Sequence, residues 1–158
     1  MKPILILLGL PIFSFAQVRD SIAMKNANRI IAVTNRPAKE NYQLLILTLK
    51  NNGYSLKEIN GDSLTVLTAE QRGKSANVSY QLKGLAKENE IILSGTYSSR
   101  VESSISGADY RTFINEISNS GKKSSASKYA FNAMDELARQ LPGKIFYAVQ
   151  KAIKTSVF

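Results

Sequence analysis

Arg29-Ile30-Ile31-Ala32-Val33-Thr34-Asn35-Arg36-Pro37, running on through Tyr42, Leu45, Ile46 and Leu49 to Gly53, is the stretch that decides the fold. Its first six residues are short, apolar and mostly β-branched, and Asn35 bounds them, so they read as a strand in the core layer. Pro37 then sits where a helix tolerates proline, in the first turn, because the missing N–H would have no intrahelical partner there. Tyr42, Leu45, Ile46 and Leu49 recur at the i, i+3, i+4, i+7 spacing of one helical face, and Gly53 closes the run. Lys39, Glu40, Asn41, Gln43, Lys50 and Asn51 fall on the opposite, solvated face. A strand followed closely by an amphipathic helix is the opening of an α+β or α/β layer, and what comes next selects between them.

What comes next is strands. Tyr54 to Ile59 and Ser63 to Ala69 are two β-like runs joined by Asn60-Gly61-Asp62, where Asn-Gly favours the primed hairpin turn. Val78, Tyr80 and Leu82 alternate with polar residues, and a turn around Lys87-Glu88-Asn89 leads into Ile91 to Tyr97, a second hairpin. The region 98–127, rich in serine and glycine, reads as loop with one short helical segment at Tyr110, Phe113, Ile114 and Ile117. A helix is expected from near Ser127, with Phe131, Met134, Ala138 and Leu141 on one face, until Pro142-Gly143 interrupts it. Phe146, Val149 and Ile153 extend a second amphipathic piece beyond. The fold class is therefore α+β: an antiparallel sheet of about five strands with two helices on one face, in the order β-α-β-β-β-β-α.

That order, carried by residues Arg29 to Leu141, resembles the TATA-binding-protein-like or helix-grip topology of small bacterial envelope domains. The resemblance is architectural; it implies a shape, no activity and no site residues.

Upstream of this domain, Lys2 supplies a positive start, Ile4 to Phe15 is apolar, and Ser14-Phe15-Ala16 presents small residues at the two positions a signal peptidase reads. Residues 1–16 are expected to be a cleaved signal peptide, 17–28 a polar lead-in, and 29–158 a single domain. The apolar run is broken by Pro11 and is shorter than the roughly 20 residues a spanning helix needs. With no cysteine there is no lipobox and no disulfide framework, so the expected location is periplasmic or secreted and the core must hold the fold by packing. Removing 16 residues from 158 leaves 142, enough for one core.

The chain has neither histidine nor cysteine, which removes the usual zinc ligands, thiol nucleophiles and the Ser-His-Asp triad. Ser125-Ala126-Ser127-Lys128 has the spacing of a Ser-Lys nucleophile, against the simpler reading that a serine here caps the helix. No catalytic, cofactor or metal residue is assigned, and no phosphate loop is present, since the Gly-Lys pairs lack the glycine five residues earlier. The net charge of +9 favours anionic neighbours. Lys122, Lys123, Lys144, Lys151 and Lys154 are candidates for contact with an anionic membrane or polysaccharide surface, and nucleic acid is not expected after export.

The functional expectation is a non-enzymatic binding or assembly module of the cell envelope, with an envelope protein or glycan as partner. The alternative is a carrier holding a small apolar ligand between the sheet and the last helix, among Tyr80, Leu93, Phe131 and Met134. A small hydrolase using Ser125 and Lys128 is the second alternative.

Overall fold

A computed structural model describes residues 19–73, 78–102 and 110–150. The chain is α+β; the described residues form nine strands in one antiparallel sheet and two helices. In chain order the elements are β1 (Arg19–Asp20), β2 (Arg29–Val33), α1 (Ala38–Asn51), β3 (Leu56–Asn60), β4 (Thr65–Thr68), β5 (Gln71–Arg72), β6 (Val78–Lys87), β7 (Glu90–Glu102), β8 (Tyr110–Glu116), α2 (Ala126–Ala138) and β9 (Lys144–Ala148). The sheet runs β1-β9-β2-β7-β6-β4-β3, with β5 added to β6 and β8 added to β7.

All seven expected elements are present in the expected order, as β2, α1, β3, β4, β6, β7 and α2. The expectation of about five strands is corrected to nine among the described residues. One reason is the stretch after Leu141, which reads as a second amphipathic piece through Phe146, Val149 and Ile153, the last of these outside the described residues. Pro142-Gly143 turns the chain instead, and Lys144 to Ala148 lies antiparallel to β2, filling the place between β1 and β2. Ile145, Phe146 and Tyr147 suit a half-buried pleat as well as a helix face, and the open edge of β2 decides for the strand. A second reason lies inside 98–127. β7 continues through Ser98 to Glu102, and Tyr110 to Glu116 pairs with it as β8, so the helical spacing of Tyr110, Phe113 and Ile114 is overridden by cross-strand pairing. Residues 103–109 of that region lie outside the described residues. The polar lead-in is tied in too: β1 pairs β9, and Asn119 Nδ2 donates to the carbonyls of Ala23 and Met24 at 3.0 and 2.9 Å.

The two hairpins differ in how they turn. Between β6 and β7 only Glu88 and Asn89 intervene, and Asn89 takes the left-handed φ of 61° that a tight turn demands. Between β3 and β4 the turn is longer than the two-residue form that Asn-Gly suggests. Residues 61–64 make it, Asn60 Oδ1 accepts from the backbone N–H groups of Asp62 and Ser63 at 3.1 and 3.0 Å, and Leu64 takes φ 51°.

Both helices cover one face. Ile30, Ile91, Leu93, Leu82, Val66 and Tyr147 of the sheet and Leu45, Leu49, Phe131, Met134 and Leu137 of the helices form one core in which every one of them is at most 2 % exposed. The helix ends are secured locally. Glu88 Oε2 accepts from Ala38 N at 3.1 Å at the start of α1, Glu40 and Lys50 sit in its first and last turns with signs that suit the dipole, and Ser125 Oγ accepts from Lys128 N at 3.3 Å at the start of α2. Asn41, expected on the solvated face of α1, is instead fully buried. Its amide donates to the carbonyls of Arg36 and Lys87 at 3.1 and 2.8 Å, and its Oδ1 accepts from Thr34 Oγ1 at 2.6 Å. The other face of the sheet carries a smaller apolar group, Ile31, Ile92 and Ala148, beside Val33, Leu85 and Phe146. No described helix is long and apolar enough to cross a membrane.

Candidate functional site

The sheet face away from the helices holds a concavity of about 350 Å³ over β6, β7 and β8. Its floor follows from register. Ser79 pairs with Ser98, Gln81 with Thr96, and Ser98 with Ile114, so these side chains share one face, whereas Tyr80, Leu82 and Leu93 point to the core. Thr112 and Ile114 of β8 continue the same face and form one wall.

Two strand irregularities bring charge to this floor. From Leu67 to Gln71 the β4–β5 edge advances four residues while β6 advances three, from Lys83 to Tyr80, so one residue is extra and the chain bows out at Ala69-Glu70. Glu70 thereby reaches over β6 and accepts hydrogen bonds from Ser79 Oγ and, at 3.4 Å, from Ser98 Oγ; the two serine hydroxyls are 2.6 Å apart. The second irregularity is the register shift between Leu56 and Glu58, which falls on Lys57. Lys57 lines the concavity with Glu70, so a basic and an acidic residue border one space. Gln81 is held across the floor by a 3.3 Å hydrogen bond from Nε2 to the Thr68 carbonyl.

Sequence reasoning missed Lys57, Glu70, Ser79, Gln81, Thr96 and Ser98, since each reads as an ordinary solvent-facing strand or turn residue. No period-2 alternation marks the place, since Val66 and Leu67 are both apolar, so nothing in the chain signals the extra residue at Ala69-Glu70.

The residues expected to matter fall elsewhere. Tyr80, Leu93, Phe131 and Met134 are brought together, but as closely packed core. Leu93, Phe131 and Met134 are at most 1 % exposed; Tyr80 meets Tyr129 edge-on at 6.2 Å, and Phe131 lies 6.2 Å from the Tyr147 ring. The phenol of Tyr147 donates to Asp135 Oδ1 at 2.6 Å and accepts from Arg139 Nη2 at 3.1 Å, which joins β9 to α2. Burial, then the bond to Asp135, pushes its pKa up to about 12, so the hydroxyl stays protonated at ordinary pH. Burial likewise raises the phenols of Tyr54 and Tyr80.

Ser125 and Lys128 adopt the capping arrangement. Ser125 Oγ donates to the Ser120 carbonyl at 3.2 Å while capping α2, and Lys128 Nζ donates to Asn119 Oδ1 and lies 5.4 Å from the Phe131 ring centre. Among the described residues no hydrogen bond joins the hydroxyl to the amine. Lys122 and Lys123 precede α2, whereas Lys144 follows it, with a 13-residue helix about 20 Å long between them in the chain. Lys151 and Lys154 lie outside the described residues.

Compared with known protein families, with curated protein sequences and with solved structures, the chain matches none.

Proposed function

We propose that this protein is an exported, non-enzymatic binding module of the cell envelope, and that its ligand is a short neutral glycan held in the concavity on the open face of the sheet. The observation that carries the reading is the pair of strand irregularities aiming Lys57 and Glu70 at one hydroxyl-lined floor. Bulges cost pairing, and a fold keeps them where a side chain must be re-aimed.

The chemistry of the lining selects the ligand class. Glu70 repels an anion that Lys57 attracts, and Lys57 repels a cation that Glu70 attracts, so the pair gives net charge of either sign little advantage over a neutral ligand. Thr96, Ser98 and Thr112 carry hydroxyls that both donate and accept, Glu70 only accepts, and Lys57 only donates. Closely spaced sugar hydroxyls satisfy all of these at once. The sheet–helix interior is closely packed, and polar groups such as Asn41 and Tyr147 are already paired within the fold, which favours the open face for the ligand.

Export rests on the leader read in residues 1–16, and a cut after Ala16 leaves β1 intact because it begins at Arg19. An intact mass beginning at Gln17 in protein taken from its own envelope is the expected result; a mass that includes Met1 would contradict export by cleavage. Binding is tested by calorimetry with maltotriose, cellotriose and chitotriose. At least one should bind, and Glu70→Ala should weaken it about tenfold or more, the scale of a hydrogen bond to a charged group. Absence of heat with all three, or an unchanged affinity in Glu70→Ala, would remove the reading.

A further inference from the structure

Asparagine followed by glycine occurs twice in the chain, at Asn52-Gly53 and at Asn60-Gly61, and both pairs are exposed. In such a pair the glycine nitrogen can attack the side-chain amide carbon of the asparagine, because no Cβ stands beside it. The fold sets the two pairs differently. Asn52 ends α1: its Nδ2 donates to the Thr48 carbonyl at 2.9 Å, and Gly53 N donates to the Lys50 carbonyl at 3.0 Å. The amide that would leave and the nitrogen that would attack are thus both committed to the last turn of the helix. Asn60 ends β3, and among the described residues neither its Nδ2 nor Gly61 N makes a hydrogen bond.

We propose that Asn60 is a site of spontaneous self-modification, at which its side chain cyclises onto Gly61 and loses ammonia. Gly61 N forms a bond to Asn60 Cγ, the Cγ–Nδ2 bond breaks, and the amide proton of Gly61 leaves with the departing group as ammonia. Water then opens the succinimide: addition at Cγ gives aspartate, and addition at the main-chain carbonyl gives iso-aspartate. The turn assists the first step. Asn60 Oδ1 accepts from the N–H groups of Asp62 and Ser63 at 3.1 and 3.0 Å, and as the nitrogen adds to Cγ, negative charge builds on that same oxygen. Two backbone donors already aimed at it stabilise the charge as it forms, the arrangement of an oxyanion hole.

The turn itself does not require a glycine at position 61. Its φ lies outside the left-handed region, and an added Cβ would meet nothing within 4 Å. What glycine does supply here is an unobstructed nitrogen. The two products differ in consequence. Aspartate keeps an oxygen that can cap the turn, whereas iso-aspartate puts one more carbon into the main chain where Asn60 pairs with Thr65, so the register at the head of the β3–β4 hairpin is lost. The inference does not depend on the glycan reading.

The test follows residues 17–158 by peptide mass mapping during incubation at mildly alkaline pH, with electron-transfer fragmentation to separate aspartate from iso-aspartate. In the folded chain Asn60 should convert at least about tenfold faster than Asn52, the scale of a hydrogen bond that the helix end must give up before it can react. In concentrated urea the two pairs lose their different settings and should convert at similar rates. Gly61→Ala should slow conversion at Asn60 about tenfold or more while the chain still unfolds cooperatively, since the turn has room for the added Cβ. Conversion of Asn52 as fast as Asn60 in the folded chain would overturn the proposal. So would a bias of the same size in urea, or an Asn60 that does not convert.

Discussion

Asn41→Ala is expected to lower the stability of the fold by about 2–4 kcal/mol. The side chain is fully buried and makes three hydrogen bonds, to the carbonyls of Arg36 and Lys87 and from the hydroxyl of Thr34. It therefore ties the first turn of α1 to the end of β2 and to the β6–β7 turn. Alanine would leave two buried carbonyls and a hydroxyl without these partners, and an unmet buried polar group costs about 1–3 kcal/mol, with the three costs not strictly additive. Gln43→Ala, on the exposed side of the same helix, should change stability by less than about 0.5 kcal/mol. Urea denaturation of the two variants measures both. Equal midpoints would show that Asn41 does not hold the helix to the sheet.

Gly143→Ala should be at least as damaging, costing about 3 kcal/mol or more. Gly143 has φ +107°, a conformation L residues avoid, and a Cβ there would run into the carbonyl of Val33, which is backbone and cannot swing away. The turn would have to open, pulling the start of β9 off the end of β2. Gly53 is the natural control. It has φ +78° but nothing within 4 Å of an added Cβ, so Gly53→Ala should show only the backbone penalty of about 1–2 kcal/mol. Thermal unfolding of the pair separates strain from collision. If both variants lost the same amount, the close approach of Gly143 to β2 would not be a determinant of the fold.

The contrast between these glycines also shows what the sequence could carry. Gly53 ends a helix whose apolar spacing is plain in the chain, and α1, the two central hairpins and α2 were all legible from periodicity and turn residues. Pro142-Gly143 was equally visible as a break, but whether the chain beyond it becomes helix or strand is decided by the open edge of β2, a partner more than a hundred residues away. β8 has the same origin: its apolar residues fit helical spacing locally, and only the long β7 gives them a ladder. Asn41 was misplaced because spacing alone gives a polar residue to the solvent side, whereas its distant partner Lys87 becomes a neighbour only in the folded sheet. The concavity was the least legible feature. Lys57 and Glu70 are brought to it by two register slips, each of which changes the direction of a side chain without changing its type.

The most direct test of the proposed glycan site is a 15N-correlated NMR titration of residues 17–158 with maltotriose, cellotriose and chitotriose. The account predicts that shifts on adding a ligand gather at Glu70, Ser79, Gln81, Thr96, Ser98 and Thr112, leaving Phe131 and Met134 unmoved. Shifts centred on Leu93, Phe131 and Met134, or none with any of the three, would contradict it.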